Sequence, residues 1–482
     1  MNLFFVSSES EPFVKTGSLG EFVYSYIKTI AKQMNQTYLI LPYYKQIKEK
    51  QSEFNIIPMD ISVTVQFMNQ PVTAGIYAQI NDDYTIYFIE KDEYYKRDFL
   101  YSMGDEEYPD NAERIIFFNQ AALELMIKIN PHPEIVHCVD WQTGLIPVYI
   151  KHKYQQYFQK TRVIYTINNI LYQGLYSQFE MPLTNLNWDL FTPEKLEYYG
   201  KINFLKGGIV YSDAVVFPSP QYSIDVTKEE HGCGLHLILQ KYKKKIRGII
   251  SGMDNQLWNP ESDSYTRKQY NLHTTHNRSY CKEILIKKLY NSEKNMFFIG
   301  MVSRLNKEKG IYFLLDIIDY LANKDIYFIL AGSGDDKIIH KIEKKFASLS
   351  QKFKFIPDPP NSVVREIFSS CDILLKPPYQ DPGGLSQLYA MRYGALPFAS
   401  HVSGLKDTII DIFHDPNKGN GFFFDPGDTQ DFIEKFEKIV YFYTHYKDLW
   451  KKWQLNSMLH TFEMKKTVEH YIKLYESLIK ED

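Results

Sequence analysis

The chain has 482 residues, with 55 Lys and Arg against 58 Asp and Glu, which gives a formal net charge of −3. This balance argues against nucleic acid or an anionic membrane surface as the main partner, because either would need a large excess of basic side chains. Hydrophobic residues make up 44% and aromatic residues 16% of the chain, which is far too much buriable surface for a disordered protein. The length predicts about three globular domains, or two large ones.

The four cysteines are widely spaced and form no C-x-x-C pair, so they indicate neither a disulfide framework nor a zinc site. The N-terminal stretch Met1 to Val6 has no basic region and is followed by polar Ser7. The apolar stretch is therefore too short for that of a signal peptide. No apolar run approaches the length of about 18 residues that a membrane span needs. We therefore expect a cytoplasmic protein that contacts neither membrane nor nucleic acid.

The first elements alternate between strand and helix patterns. Leu3 to Val6 is typical of a short buried strand, residues 22–34 carry apolar side chains at helical spacing, and Thr37 to Leu41 indicates the next strand. This βαβ pattern places the loop from Ser7 to Gly20 at the carboxyl end of the first strand. Open α/β sheets bind ligands at that position.

The same alternation restarts near residue 295. Met296 to Val302 and Ile326 to Leu330 indicate strands, and Ile311 to Leu321 indicates the amphipathic helix between them. The pattern predicts an α/β fold of two Rossmann-like halves, an N-terminal domain over 1–250 and a C-terminal domain over 251–455. The later elements are strands at 353–356, 373–375 and 396–399, helices from 362 and 385, and a joint within 241–247 or 258–263.

In each half, one basic loop precedes the first helix. The Gly-containing loop Lys15-Thr16-Gly17-Ser18-Leu19-Gly20 would let backbone N–H groups approach an anion while Lys15 supplies a point charge. In the second half, Arg304 and Lys309 would together neutralise a diphosphate leaving group. An ordinary exposed βα loop with basic side chains is the alternative for both.

Two further groups of residues follow apolar stretches. The segment from Pro377 to Ser386 contains Asp381, which would accept hydrogen bonds from sugar hydroxyls or serve only as a turn residue. His137 precedes Asp140 and Trp141, and as a lone histidine it is expected to be structural and not a catalytic base. A second segment, grouped with the His137 motif because it also follows an apolar stretch of the first half, comprises Tyr165-Thr166-Ile167-Asn168-Asn169 and Tyr172-Gln173-Gly174.

Taken together and in this order, these motifs resemble the bacterial glycogen synthase and plant starch synthase family, and the resemblance covers nearly the whole chain. The motifs that carry it are Ser8-Glu9-Ser10-Glu11-Pro12-Phe13 with Lys15-Thr16-Gly17, His137-x-x-Asp140-Trp141, Asn169-x-x-Tyr172-Gln173-Gly174, Phe204-Leu205-Lys206-Gly207-Gly208, Gly252-Met253-Asp254 with Trp258, Val302-Ser303-Arg304-Leu305 with Lys309-Gly310, and Gly384-Leu385-Ser386-Gln387-Leu388-Tyr389.

This resemblance implies a retaining glucosyltransferase with the GT-B fold, in which two doubly wound Rossmann-like domains face each other across a cleft. The first domain would hold the acceptor, the non-reducing end of an α-1,4-glucan. The second would hold the donor, ADP-glucose or, in some members, UDP-glucose. The family uses basic side chains in place of a metal ion and no cofactor, and its terminal segment, here 456–482 with a helix over 464–479, returns to the first domain.

The resemblance also assigns roles to single residues. The catalytic residues would be Arg304, Lys309, Asp381 and Asn168. The acceptor side would contain Asp140 and Trp141. The donor would be bound by Lys15, Gly17, Ser18, Gly334, Gly383, Gly384 and Leu385.

Several positions depart from the family pattern. Ser18 replaces a glycine, Asn168 replaces a histidine, and Asp381 replaces a glutamate and so withdraws its carboxylate by one methylene. The remaining departures are Ser251 for asparagine, Ser403 for glycine, and His236-Leu237 for an acidic residue and glycine.

Two hypotheses follow from this pattern. In the first, the chain is an active α-1,4-glucan synthase, because the diphosphate pair Arg304 and Lys309 is intact. In the second, the clustered replacements make it a weakly active or inactive glucan-binding paralogue that associates with an active synthase. Either outcome is compatible with the motifs, since the positioning of groups that contact the substrate controls the rate by orders of magnitude.

Overall fold

The structure, a computed structural model, describes residues 1–67, 70–103 and 106–480. The chain forms two compact units. The first comprises Met1–Gly252 together with Met464–Asp482, and the second comprises Met253–Glu463. Residues 456–463 thus lie in the second unit, and the terminal segment of the first unit begins at Met464.

The strands alternate with helices for most of the chain. They are β1 (Asn2–Val6), β2 (Gln36–Pro42), β3 (Ile57–Phe67), β4 (Gln70–Ile80), β5 (Thr85–Glu90), β6 (Ser102–Met103), β7 (Glu106–Glu107), β8 (Ile135–Val139), β9 (Arg162–Thr166), β10 (Leu175–Ser177), β11 (Glu197–Tyr198), β12 (Lys201–Asn203), β13 (Ala214–Phe217), β14 (Ile246–Gly248), β15 (Phe297–Val302), β16 (Ile326–Gly332), β17 (Phe353–Pro357), β18 (Ile373–Lys376), β19 (Leu396–Ser400) and β20 (Phe422–Phe424).

The helices connect these strands on both faces of the sheets. They are α1 (Ser18–Ile30), α2 (Lys45–Lys48), α3 (Asp92–Tyr95), α4 (Asn111–Lys128), α5 (Ile146–His152), α6 (Phe204–Tyr211), α7 (Pro220–Asp225), α8 (His236–Lys241), α9 (Asn277–Tyr290), α10 (Ile311–Ala322), α11 (Asp336–Ala347), α12 (Asn361–Ser370), α13 (Ser386–Arg392), α14 (Leu405–Thr408), α15 (Thr429–His445), α16 (Lys447–Leu459) and α17 (Met464–Lys480). Short 3-10 helices span Ala31–Gln33, Trp141–Thr143, Gln178–Thr184, Trp188–Leu190 and Lys243–Lys245.

The large sheet of the first unit has the strand order β14-β13-β9-β8-β1-β2-β5-β4-β3. The strands from β14 to β5 pair in parallel, and the hairpin β3-β4 extends one edge in antiparallel fashion. Because β1 pairs with β2 on one side and β8 on the other, the strand order reverses between β1 and β8. Ligands bind outside the carboxyl ends of the strands at such a reversal.

The sheet of the second unit has the order β17-β16-β15-β18-β19-β20, and all its pairs are parallel. Phe297 and Ile299 of β15 pack into one apolar cluster, and Phe298 packs into another on the opposite face. Both faces are therefore covered, as parallel sheets require. The order reverses between β15 and β18, which makes the loops after these strands the candidate ligand-binding edge.

The predicted doubly wound α/β architecture is confirmed, and the predicted strands and helices lie within a few residues of the observed ones. The features that were not predicted include the β3-β4 hairpin, a small antiparallel sheet, β10-β12-β11, and the edge strand β20. Arg247, predicted to be near a joint, lies in edge strand β14 beside β13, and the two units divide between Gly252 and Met253, between the two predicted segments. In the part of the chain that the structure describes, no helix combines the length and the apolar character that crossing a membrane would take.

A buried polar network attaches α17 to the first unit. The His137 Nδ1 atom lies 2.5 Å from the Tyr475 hydroxyl, and its Nε2 atom lies 2.7 Å from Thr166 Oγ1. The Tyr475 hydroxyl also lies 2.6 Å from that of Tyr26. Burial lowers the pKa of His137 to about 3, so the ring is neutral at physiological pH. These contacts make His137 a structural residue, as the sequence indicates.

We expect Tyr475→Phe to loosen α17, because it leaves the Nδ1 atom of buried His137 without its partner. An unsatisfied buried polar group costs about 1–3 kcal/mol. Amide hydrogen exchange across α17 should therefore accelerate, while exchange in α10 of the second unit stays unchanged. The matched control is Tyr199→Phe, in which the lost hydroxyl belongs to a side chain that is 84% exposed. Equal exchange in the two variants would contradict this account.

Candidate active site

The loop after β1 is held by a buried carboxylate. Glu9 is 2% exposed, and its carboxylate accepts hydrogen bonds from the backbone N–H and the hydroxyl of Thr16. The Tyr101 hydroxyl donates to the same carboxylate at 2.8 Å. These bonds fix the backbone that carries Lys15 and Gly17. The Ser8-Glu9 motif was part of the resemblance, but its role in anchoring this loop became visible only in three dimensions.

Lys15 lies at the mouth of this loop with two carboxylates. Its Nζ atom forms ion pairs with Glu11 and, at 2.8 Å, with Glu21. Burial lowers the pKa of Lys15, but the two carboxylates outweigh that effect and leave the pKa raised. The side chain is therefore a cation that is paired with two carboxylates, a pairing that the sequence analysis did not predict. An anionic ligand would have to exchange with these carboxylates.

Asp140 and Asn168 meet at the carboxyl ends of β8 and β9. The Asn168 backbone N–H donates to Asp140 Oδ1 at 2.7 Å, and its side-chain amide donates to Oδ2 at 3.2 Å. Burial raises the pKa of Asp140 to about 6, and the negative charge of Glu9 adds to that rise, while the Asn168 bonds oppose it. The structure thus brings two predicted site residues, Asp140 and Asn168, into direct contact. The charge of Glu9 in the neighbouring loop also affects the pKa of Asp140.

Trp141 follows Asp140 and is 9% exposed. A Cβ atom on Gly174 would lie 2.5 Å from the Trp141 ring, and Gly174 has a left-handed φ of +62°. Glycine at this position therefore allows the 172–174 segment to pack on the indole. Gln173 accepts from Asn203 and donates to the Cys233 carbonyl, so this motif is largely structural.

In the second unit, the loop after β15 packs tightly against its neighbours. A Cβ atom on Gly310 would lie 1.8 Å from the Pro377 carbonyl oxygen, and the φ of Gly310 is +75°. The Tyr379 N–H donates to the Glu308 carbonyl at 3.0 Å. Only glycine allows so close an approach. The loops that carry Lys309 and Asp381 therefore lie together at the strand reversal.

Gly334 lies where the loop after β16 meets the loop after β15. A Cβ atom on Gly334 would lie 2.6 Å from the Leu305 carbonyl oxygen, and the Leu305 N–H donates to the Ser333 carbonyl at 2.7 Å. The glycine therefore permits two backbones to meet beside Arg304. Its direct contact with a donor stays a prediction.

Asp381 lies between two lysines. Its Oδ2 atom is 3.0 Å from Lys376 Nζ and 3.4 Å from Lys309 Nζ, and its side chain is 3% exposed. Burial alone would raise the pKa of Asp381, but the charges of Lys309 and Lys376 hold it well below its usual range. The carboxylate is therefore ionised at physiological pH. Lys376 was missed from the sequence, although a lysine that ends the apolar run Leu374-Leu375 was a visible signal.

Gln387 shapes the turn that follows Asp381. Its side-chain amide donates to the carbonyls of Gly383 and Gly384 at 3.0 and 2.8 Å. Gly384 has a φ of +59°, which only glycine adopts readily. Leu385 precedes α13, which begins at Ser386, one residue later than predicted. The two predicted donor-binding glycines thus lie on one rigid turn beside Asp381.

The departures from the family pattern differ in structural effect. Ser18 is the exposed first residue of α1 and does not require a positive φ, so a side chain is tolerated there. Ser403 has a φ of +36° and is 2% exposed, which strains a residue with a Cβ atom. It adjoins Gly404, whose N–H donates to the Asp381 carbonyl at 3.0 Å. Among the described residues, no group of acidic, His and Cys side chains suits a metal ion.

Comparison with known proteins explains why these loops occur together. Residues 2–241 match the starch synthase catalytic domain, and residues 283–451 match glycosyl transferases group 1. A glycogen synthase of Geotalea daltonii is 33% identical over 98% of both chains, and one of Pseudothermotoga lettingae is 32% identical over 100% of this chain and 99% of that protein. The chain belongs to the glycogen and starch synthase family.

Solved structures support this membership and the predicted GT-B fold. The catalytic domain of starch synthase IV from Arabidopsis thaliana, solved with ADP and acarbose bound, matches with a TM-score of 0.90 and 26% identity over 99% of both chains. A sucrose-phosphate synthase from Thermosynechococcus elongatus matches with a TM-score of 0.62 and 14% identity over 100% of both chains, which concerns the fold alone. The GT-B prediction and the family resemblance are therefore confirmed.

The raised pKa of Asp140 predicts a pH dependence of stability. The native state binds the Asp140 proton more tightly than the unfolded state, so this contribution is fully present below about pH 4 and is lost as pH rises through about 6. Between pH 5 and 7.5, the wild type should lose about 1 kcal/mol relative to Asp140→Asn. Chemical unfolding of both proteins at each pH measures this difference, and a pH-independent difference would contradict it.

Relief of the strained backbone at Ser403 gives a second prediction. Ser403→Gly should raise the free energy of unfolding of the second unit by about 0.5–1 kcal/mol, because glycine adopts positive φ without penalty. Thermal unfolding measures the gain. The control is Ser350→Gly, at an exposed position without positive φ, which should bring no gain. A Ser403→Gly variant no more stable than the control would rule out the strain.

Proposed function

We propose that this member of the family is an active glycogen synthase that transfers glucose from ADP-glucose to the non-reducing end of an α-1,4-glucan. The observation that carries the proposal is the concentration of cations at the strand reversal of the second unit. Lys309 and Lys376 share the single carboxylate of Asp381, which leaves local positive charge for an anion in a protein of net charge −3. Arg304, on the loop that also carries Lys309, adds a further basic side chain. A diphosphate supplies the matching charge.

The proposed reaction retains the configuration at the sugar carbon. The bond from glucose C1 to the diphosphate oxygen breaks, and the acceptor O4 forms the new bond on the same face. The acceptor's proton passes to the departing phosphate. Arg304 and Lys309 bind the diphosphate, whose negative charge grows as the bond breaks, so their attraction is strongest in the transition state.

The remaining roles follow the resemblance. In the first unit, Asp140 and Trp141 contribute to the acceptor side. Asn168, in place of the family's histidine, lies against the transferred glucose and is oriented by its bonds to Asp140. Asp381 orients the sugar while it remains bound to Lys376. The residues proposed to contact the donor are Lys15, Gly17, Ser18, Gly334, Gly383, Gly384 and Leu385.

ADP-glucose is the proposed donor because the similar starch synthase IV was solved with ADP, and the acarbose in that structure supports a glucan acceptor. We place the reaction in the cytoplasm. The cysteines Cys138, Cys233, Cys281 and Cys371 are free thiols, which suits a reducing compartment.

The test is release of nucleoside diphosphate from ADP-glucose or UDP-glucose with a glycogen primer. We expect release from ADP-glucose, new α-linkages by proton NMR, and a decrease in kcat/KM of about 100-fold or more in Lys309→Ala, because a transition-state contact is removed. Lys344→Ala, on the exposed face of α11, is the matched control and should behave like the wild type.

An outcome with no release above the Lys309→Ala background would overturn the proposal. Activity that appears only after Ser18→Gly, Asn168→His and Asp381→Glu are combined would instead establish the alternative, a glucan-binding paralogue that associates with an active synthase. β-Linkages in the product would refute the proposed retention of configuration but not the proposed glucose transfer.

A further inference from the structure

A buried lysine beside the proposed donor site contributes to its charge but is assigned no contact with the donor or the acceptor. Lys376 ends β18, and its side chain is 8% exposed. Its Nζ atom donates hydrogen bonds to Ser386 Oγ and Gln387 Oε1, each at 3.0 Å, and forms an ion pair with Asp381 Oδ2 at 3.0 Å. Two hydrogen bonds and one ion pair thus hold the buried ammonium group in place. Lys376 is therefore held rigidly between the strand and α13.

Lys309 shares the same carboxylate oxygen but is bound less firmly. Its Nζ atom is 3.4 Å from Asp381 Oδ2, and its side chain is 18% exposed, against 8% for Lys376. Asp381 is thus the shared anion of two cations, of which Lys376 is the nearer and the more buried. Because the charges of the two lysines repel each other, Lys376 also weakens the hold of Asp381 on Lys309.

We propose that Lys376 is a positioning residue that frees Lys309 for the diphosphate of the donor by neutralising Asp381. A buried carboxylate that loses its only cation is strongly destabilised. With Lys376 in place, Lys309 exchanges Asp381 for a phosphate oxygen without leaving such a charge behind. Lys309 therefore binds the donor, and Lys376 neutralises the charge of Asp381.

This inference rests on the proposed function, since it takes Lys309 as a diphosphate ligand. It differs from that function in what it predicts for Asp381. In the wild type, Asp381 should have little effect on the affinity for a nucleoside diphosphate. Once Lys376 is uncharged, Asp381 should retain Lys309 and oppose binding.

The test is a double-mutant cycle on the full chain, with the Kd for ADP measured by calorimetry and UDP titrated in parallel. Lys376→Met should weaken ADP binding by about tenfold or more, and Asp381→Asn alone should change it less than about threefold. In the double variant Lys376→Met/Asp381→Asn, the affinity should return to within about threefold of the wild type, because the neutral amide no longer retains Lys309. The KM for the donor should follow Kd, while kcat of the double variant stays low.

Two outcomes would overturn the inference: wild-type affinity in Lys376→Met, or a double variant that binds ADP as weakly as Lys376→Met. The second is what a merely structural role for Lys376 predicts. If Lys376→Met fails to fold, Lys376→Gln removes the charge but keeps a polar group toward Ser386 and Gln387, and the same cycle applies. Wild-type ADP affinity in Lys309→Ala would refute the proposed donor site itself, and the inference with it.

Discussion

The reversal of strand order in each sheet is the constraint on which both candidate sites depend. Parallel strands end at the same edge, and the loops at a reversal diverge to opposite faces and leave a crevice between them. In the first unit this geometry gathers the loops after β1, β8 and β9. In the second it gathers those after β15 and β18, which then pack so closely that Gly310 admits no side chain beside Pro377. The chemistry of the loops is varied, but their meeting point is set by topology.

Charge is arranged differently at the two edges. In the first unit, Lys15 is surrounded by Glu11 and Glu21, and Asp140 is bound by amides, so the edge is polar and locally balanced. In the second unit, two lysines share one carboxylate. This division is compatible with the proposed binding of a charged donor by the second unit and of an uncharged glucan by the first. It concentrates positive charge locally in a chain of net charge −3.

The alternating apolar runs made the α/β architecture predictable, because parallel strands that are covered on both faces must be almost wholly apolar. The β3-β4 hairpin was less visible, since its partly exposed strands carry a mixed pattern. The site loops were predicted from motifs, but their pairings were not. Glu11 and Glu21 lie within six residues of Lys15, and Lys376 lies five residues before Asp381, so these partners were present in the local sequence, but which side chains pair is decided by the loop conformation. The contact of Asp381 with Lys309 joins two distant segments, for which local sequence contains no signal.

The His137–Tyr475 contact joins residues that are 338 positions apart, and the second unit is a continuous segment between them. During synthesis on the ribosome, which proceeds from the N-terminus, the second unit is therefore complete before α17 emerges. Until α17 is synthesised, His137 and the hydroxyl of Tyr26 in the first unit lack their shared partner, the hydroxyl of Tyr475. The order in which the two units mature is thus the reverse of the order in which they begin, and the last helix acts as the closing element of the first domain.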